Sequence, residues 1–150
     1  MYKKILVPLD GSKRAEAILP HVEELAHSFS PQIVFLHVIE PHYVFTSPHG
    51  FNMYNIEEIS HEANTKQAEK YLAGLAGEFR EKGIKAKTLV EDGPVSHTIL
   101  NIAKREEVDL IAMASHGRTG LSQVFYGSVA ASLLHSIDRP LLLIRTDGNG

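Results

Sequence analysis

The chain contains no cysteine, which excludes disulfides, iron–sulfur clusters and thiolate zinc sites and fits a reducing compartment. Charge of one sign is also scarce. Fifteen basic and eighteen acidic residues leave a formal charge of -3, and because they are interspersed they form no basic stripe, which argues against a dedicated nucleic-acid surface. No apolar run reaches the roughly 18 residues of a membrane span. The N-terminal stretch MYKKILVPLDGS is broken by Pro8 and Asp10 too early to be a signal peptide. Neither GxxxxGK[ST] nor GxGxxG occurs, so the Walker and dinucleotide fingerprints are both missing. These absences predict a soluble cytoplasmic protein with no nucleic-acid or membrane partner.

What is present is a regular alternation. The 150 residues suit one domain, 1–150, in which about 68–70% of the unfolded surface can be buried without staples. No internal repeat or linker interrupts it. Short runs rich in Ile, Val and Leu fall at 3–9, 32–39, 85–91, 108–114 and 140–145, and candidate helices fall between them at 13–28, 57–82, 95–106 and 128–137. Most of the runs are apolar on both faces, as parallel strands covered by helices must be. The expectation is an α/β fold: a single doubly wound domain with a five-stranded parallel sheet in order 3-2-1-4-5 and helices on both faces. Pro20 should kink the first helix, and Pro94 should sit in the first turn of the third. The aperiodic stretch 40–55, with two prolines and several aromatics, predicts a long loop after the second strand, of the kind that serves as lid or contact surface. Residues 146–150 read as a tail.

Open sheets of this kind bind ligands at the carboxyl ends of their strands, where the strand order reverses. That rule brings together the turn after strand one, Pro8-Leu9-Asp10-Gly11-Ser12, and the segment after strand four, ASHGRTGLSQVFYGS. Glycines in the second segment, Gly117, Gly120 and Gly127, would let backbone N–H groups approach an anion. Ser128 is expected as the N-cap of the fourth helix, whose positive end would favour phosphate. Arg118 is the segment's one fixed cation, and Ser115 and His116 add side-chain hydrogen-bonding groups. A plain surface turn remains the alternative. Asp10 likewise has two readings, as a cap shared with Ser12 or as a group for a ribose hydroxyl or phosphate-bound Mg2+.

The stretches MYKKILVPLDGS, FLHVIEP, ASHGRTGLSQVFYGSVA and RPLLLIR, in this order and spacing, resemble the universal stress protein family over nearly the whole chain. The most specific element is the family's nucleotide motif, Gly-x2-Gly-x9-Gly-Ser/Thr. Its second glycine is matched by Gly117 and its final pair by Gly127-Ser128, while Ala114 stands where the first glycine would be. The resemblance implies flavodoxin-like topology, akin to the adenine nucleotide alpha-hydrolases, in an ATP-binding homodimer of the stress response. It implies adenine near Pro8, Leu9 and Val38, with Met113 in the same nucleotide-binding set, and ribose facing Asp10 and Ala114. The triphosphate, with its Mg2+, would run along Ser115, His116, Gly117, Arg118 and Gly120 and against Gly127, Ser128 and Val129.

Three functional classes stay open. The first is a nucleotide-responsive regulatory module acting on an unknown protein partner. The second is a slow ATPase or phosphotransfer enzyme, for which the candidate groups form a thin set beside what rapid phosphoryl transfer needs. The third is a nucleotide-free interaction protein with a vestigial site. His42, His49 and His61 match no metal-ligand spacing and read as surface residues; His37 reads as a satisfied strand imidazole. The run at 140–145 should be an apolar edge strand that invites pairing with a second copy.

Overall fold

The computed structural model describes residues 1–40, 53–116 and 122–146, with the side chains of 53–59, 116 and 122–128 left aside. The apolar runs become strands β1 (Lys4–Pro8), β2 (Gln32–Ile39), β3 (Lys85–Asp92), β4 (Leu110–His116) and β5 (Leu141–Thr146). They form one sheet in order β3-β2-β1-β4-β5, and every pairing is parallel. This is the expected flavodoxin-like order. The helices are α1 (Leu19–Phe29), α2 (Met53–Glu81), α3 (Val95–Arg105) and α4 (Ser122–Ser136).

Strand side chains alternate between the two faces, and each face has its own core. Ile5, Val7, Ile33, Phe35 and Ala112 pack with Val22 and Ala26 of α1 and with Leu72, Leu75, Ala76 and Phe79 of α2. Leu6, Val34, Leu36, Ile111 and Met113 pack with Ile99, Ile102 and Ala103 of α3 and Leu133 of α4. Both sets are buried, which is why the strands read as unbroken apolar runs. Each fully buried Leu, Ile, Val or Phe contributes about 1.5–3 kcal/mol. Phe35 and Phe79 add an edge-to-face contact at 5.0 Å between β2 and α2.

The amino-terminal edge is held by polar groups. The Asp109 carboxylate accepts from the backbone N–H groups of Lys3 and Lys4 at 2.6 and 2.9 Å. Arg139 donates to the carbonyls of Ala103 and Val108 at 2.7 and 3.0 Å, closing the end of α3. Glu106 accepts from Lys87 at 2.6 Å. That hydrogen bond, with the charges of Lys87, Lys4 and Arg105, holds the Glu106 carboxyl below its ordinary range against the opposing effect of burial.

Three expectations need correction. Pro20 does not kink a helix running from 13: a 3-10 turn, Ala15–Ile18, comes first, and Pro20 lies in the opening turn of α1, where its missing donor costs little. Pro94 is one residue earlier than expected, at the N-cap of α3 with φ -63 and ψ 136. Ser128 is not the N-cap of the fourth helix, because α4 already begins at Ser122 and passes through Gly127 and Ser128. Of the loop expected over 40–55, residues 53–55 belong to α2, and 41–52 lie outside the described residues.

Candidate functional site

The strand order reverses between β1 and β4, so the crevice beyond their carboxyl ends is the place a ligand would occupy. Its first wall is the end of β1. Leu9 N–H donates to the Leu36 carbonyl at 2.8 Å, extending the pairing with β2, and the chain then turns through Gly11 at φ +87, a conformation that suits glycine. Asp10 holds this turn. Its Oδ1 accepts from the Ser12 N–H at 2.9 Å and the Ser12 hydroxyl at 2.6 Å, while the Ser12 oxygen accepts from Ala15 N–H at 3.2 Å. These bonds of Asp10 stay within the turn, to Ser12, and orient the carboxylate at the sheet edge; the cap positions of the 3-10 turn and of α1, Arg14 and Ile18, carry no side-chain cap bond, so Asp10 is not the helix cap that the sequence offered as one reading.

The opposite wall depends on how β3 passes into α3. Gly93 has φ +140, and a Cβ placed there would lie 2.7 Å from the Thr98 hydroxyl. Gly93 N–H also donates to the Ile39 carbonyl at 3.0 Å. The glycine therefore ties the ends of β2 and β3 together and lets the first turn of α3 come in close enough for Val95 and Ile99 to reach the crevice.

Between these walls lies a cavity of about 360 Å3. Leu36, Val38, Val95, Ile99, Met113 and Val129 supply its apolar surface, and Asp10, His37 and Glu40 its polar edge. The two charged residues among the described lining are both acidic. An apolar slot with acceptors at its rim suits a flat, donor-bearing ring and a hydroxylated group; it does not suit phosphate, which needs donors and positive charge.

Of the residues singled out from sequence, Pro8, Leu9, Asp10, Val38, Met113, Ala114 and Val129 all line this one cavity. Ser115 lies next to it in β4 but not in the lining, and its carbonyl accepts from the Thr146 hydroxyl at 2.9 Å. His116 closes β4, and Gly127 and Ser128 run within α4. Gly117, Arg118 and Gly120, the core of the expected phosphate segment, lie outside the described residues.

Sequence reasoning missed Ala15, Leu36, His37, Glu40, Val95, Ile99 and Ala130 as cavity residues. The α3 residues carry an amphipathic pattern, but nothing in that pattern tells which of them face a hole and which face the core. His37 is satisfied, as its strand position suggested: its Nδ1 lies 3.0 Å from the Leu9 carbonyl, so Nδ1 carries the proton and donates. The same ring nevertheless borders the cavity. His61 on α2 donates from Nε2 to Asp92 at 2.7 Å, whereas His42 and His49 lie outside the described residues.

A doubly wound parallel sheet in this order, with a ligand-sized cavity at its switch point, defines an α/β domain of the flavodoxin-like class. The sequence model of the universal stress protein family matches residues 1–145, and the chain belongs to that family. It is 31% identical to universal stress protein MJ0577 of Methanocaldococcus jannaschii over 97% of this chain and 96% of that protein. With universal stress protein YxiE of Bacillus subtilis it shares 33% identity, over 97% of this chain and all of the relative. The solved structure of MJ0577 superimposes with a TM-score of 0.80 at 30% identity, over 97% of this chain and 96% of that one. An Arabidopsis thaliana family protein with AMP bound shares the fold, with a TM-score of 0.66 at 18% identity over 98% of this chain and 94% of that one.

Proposed function

We propose that this chain is an ATP-binding, homodimeric regulatory module of the cytoplasmic stress response, whose nucleotide occupancy sets its choice of protein partner. The observation that carries the proposal is the cavity at the β1–β4 switch point. Its size, apolar walls and acidic rim suit the adenosine part of a nucleotide, with adenine between Val38, Met113 and Val129 and the ribose hydroxyls at Asp10. Membership of a family in which another member holds AMP supports the choice of an adenine nucleotide. Among the described residues no helix is long and apolar enough to cross a membrane.

The acidic rim implies that the phosphates leave the cavity toward the segment 115–128. Ser115 to Arg118 and Gly120 would supply their donors there, and the amino-terminal turn of α4, now starting at Ser122, adds its unpaired N–H groups. Mg2+ would enter as a companion of the phosphates, with Asp10 as the carboxylate to meet it. Asp10 already accepts two hydrogen bonds from Ser12; that commitment suits a positioning group better than a base that must take up a proton, and it favours binding over turnover.

Calorimetric titration of nucleotide-stripped protein with Mg-ATP tests the reading. One saturable site per chain is expected, and Val129→Phe, which fills the slot from a half-buried position, should weaken binding by about tenfold or more. A folded parent that binds no ATP, or a Val129→Phe variant that binds it equally well, would refute the proposal.

A further inference from the structure

Strand β2 runs on past the end of its neighbour. Its pairing with β1 stops at the Pro8 and Leu36 pair, whereas its pairing with β3 continues to Ile39 and Asp92. In a strand paired on both sides, successive residues turn their N–H and C=O groups to alternate neighbours. The Leu36 carbonyl faces β1, where it accepts from Leu9 N–H at 2.8 Å, and the Ile39 carbonyl faces β3, where it accepts from Gly93 N–H at 3.0 Å. Val38 therefore turns both of its backbone groups to the β1 side, at a level where β1 has ended.

The next rung of the ladder would be a bond from Val38 N–H to the Leu9 carbonyl, and it is not made. That carbonyl accepts instead from the His37 ring, with Nδ1 at 3.0 Å. Val38 N–H and C=O take no backbone partner among the described residues. Backbone groups on a half-buried residue are seldom left over, and both Val38 and His37 border the switch-point cavity. An open rung beside a ligand-sized space leaves its two groups for a ligand.

We propose that His37 is a positioning residue for the proposed nucleotide site: by occupying the Leu9 carbonyl it keeps the Val38 N–H and C=O turned into the cavity, and so sets the choice of base. The inference rests on the adenine-nucleotide reading above. A donor and an acceptor side by side match the N1 and 6-amino edge of adenine. A 6-oxopurine carries an N–H and a carbonyl oxygen at those places, so donor would meet donor and acceptor would meet acceptor. Without the His37 donor the Leu9 carbonyl is released to Val38 N–H, the rung closes, and the base edge loses its match.

Three forms of the full chain test this: the parent, His37→Leu, which cannot donate, and His37→Asn, whose side-chain N–H can stand where Nδ1 does. Hydrogen exchange without ligand reads the rung itself. Val38 N–H should exchange at similar rates in the parent and His37→Asn, and about tenfold or more slowly in His37→Leu; a variant that was merely destabilised would exchange faster, not slower. Titration with Mg-ATP and its inosine counterpart reads the consequence. The parent and His37→Asn should prefer ATP by about tenfold or more, and His37→Leu should lose that preference. Unchanged or faster Val38 exchange in His37→Leu, or a His37→Asn variant that behaves as His37→Leu does, would overturn the role of the ring. An ATP preference that survives in His37→Leu would overturn its control of the base. If no form binds either nucleotide, the nucleotide reading fails and the choice of base with it, while the exchange rates still decide whether His37 holds the rung open.

Discussion

At the scale of single residues, the carboxyl edge is shaped by a few positions whose backbone leaves little choice of side chain. Gly93 is the most constrained. It adopts φ +140, and a Cβ there would approach the Thr98 hydroxyl to 2.7 Å, well inside van der Waals contact. Gly93→Ala should therefore lower stability by about 1–3 kcal/mol, measurable by urea unfolding. Thr98→Ala should cost less in that background than in the parent, because removing the hydroxyl relieves the contact while leaving the strained φ in place. Equal stability of Gly93→Ala and parent would show that the turn relaxes freely. Asp10 was legible as an edge residue because it follows an apolar run directly. Glu40 and His37 were harder to read: whether the end of β2 borders a cavity depends on how closely α3 and α2 approach it, and that is a long-range property.

At the scale of elements, the strands were the more legible part and the helix boundaries the less. Two-sided burial writes itself into the sequence as continuous Ile, Val and Leu, so β2 falls where its run falls, at Gln32–Ile39. Helix α4 shows the opposite case. Gly127 reads as a loop residue and costs a helix about 1 kcal/mol relative to alanine, yet α4 continues through it from Ser122. Tertiary packing explains this, since buried Leu133 and the partly buried Val129 fasten the helix to the sheet. Strand β5 is an edge of the sheet, and its residues Leu141 to Ile144 are each only part-buried in the single chain. An apolar edge of this kind is a template for pairing. We propose that two copies meet there in a closed dimer. Leu142→Lys should shift sedimentation toward monomer at low concentration; an undiminished dimer would place the contact elsewhere.

At the scale of the whole molecule, strand order, the covering of both faces and the position of the ligand crevice all follow from the alternation of apolar runs and helical periods. Part of the cavity lining was legible too, because the ends of β1, β2 and β4 meet wherever a sheet takes the order β3-β2-β1-β4-β5. The phosphate half rests on the glycine-containing segment 117–121, outside the described residues, and there the sequence motif carries the argument alone. The central claim is that the switch-point cavity is the seat of an adenine nucleotide. Its most direct test is to map Mg-ATP onto the backbone amides by NMR at saturating concentration. The account predicts the largest shifts at Leu9, Val38, Met113 and Val129, with Lys85 and Asp109 at the opposite edge unmoved. Saturable binding whose shifts gather anywhere else, or no shifts in the cavity at all, would contradict it.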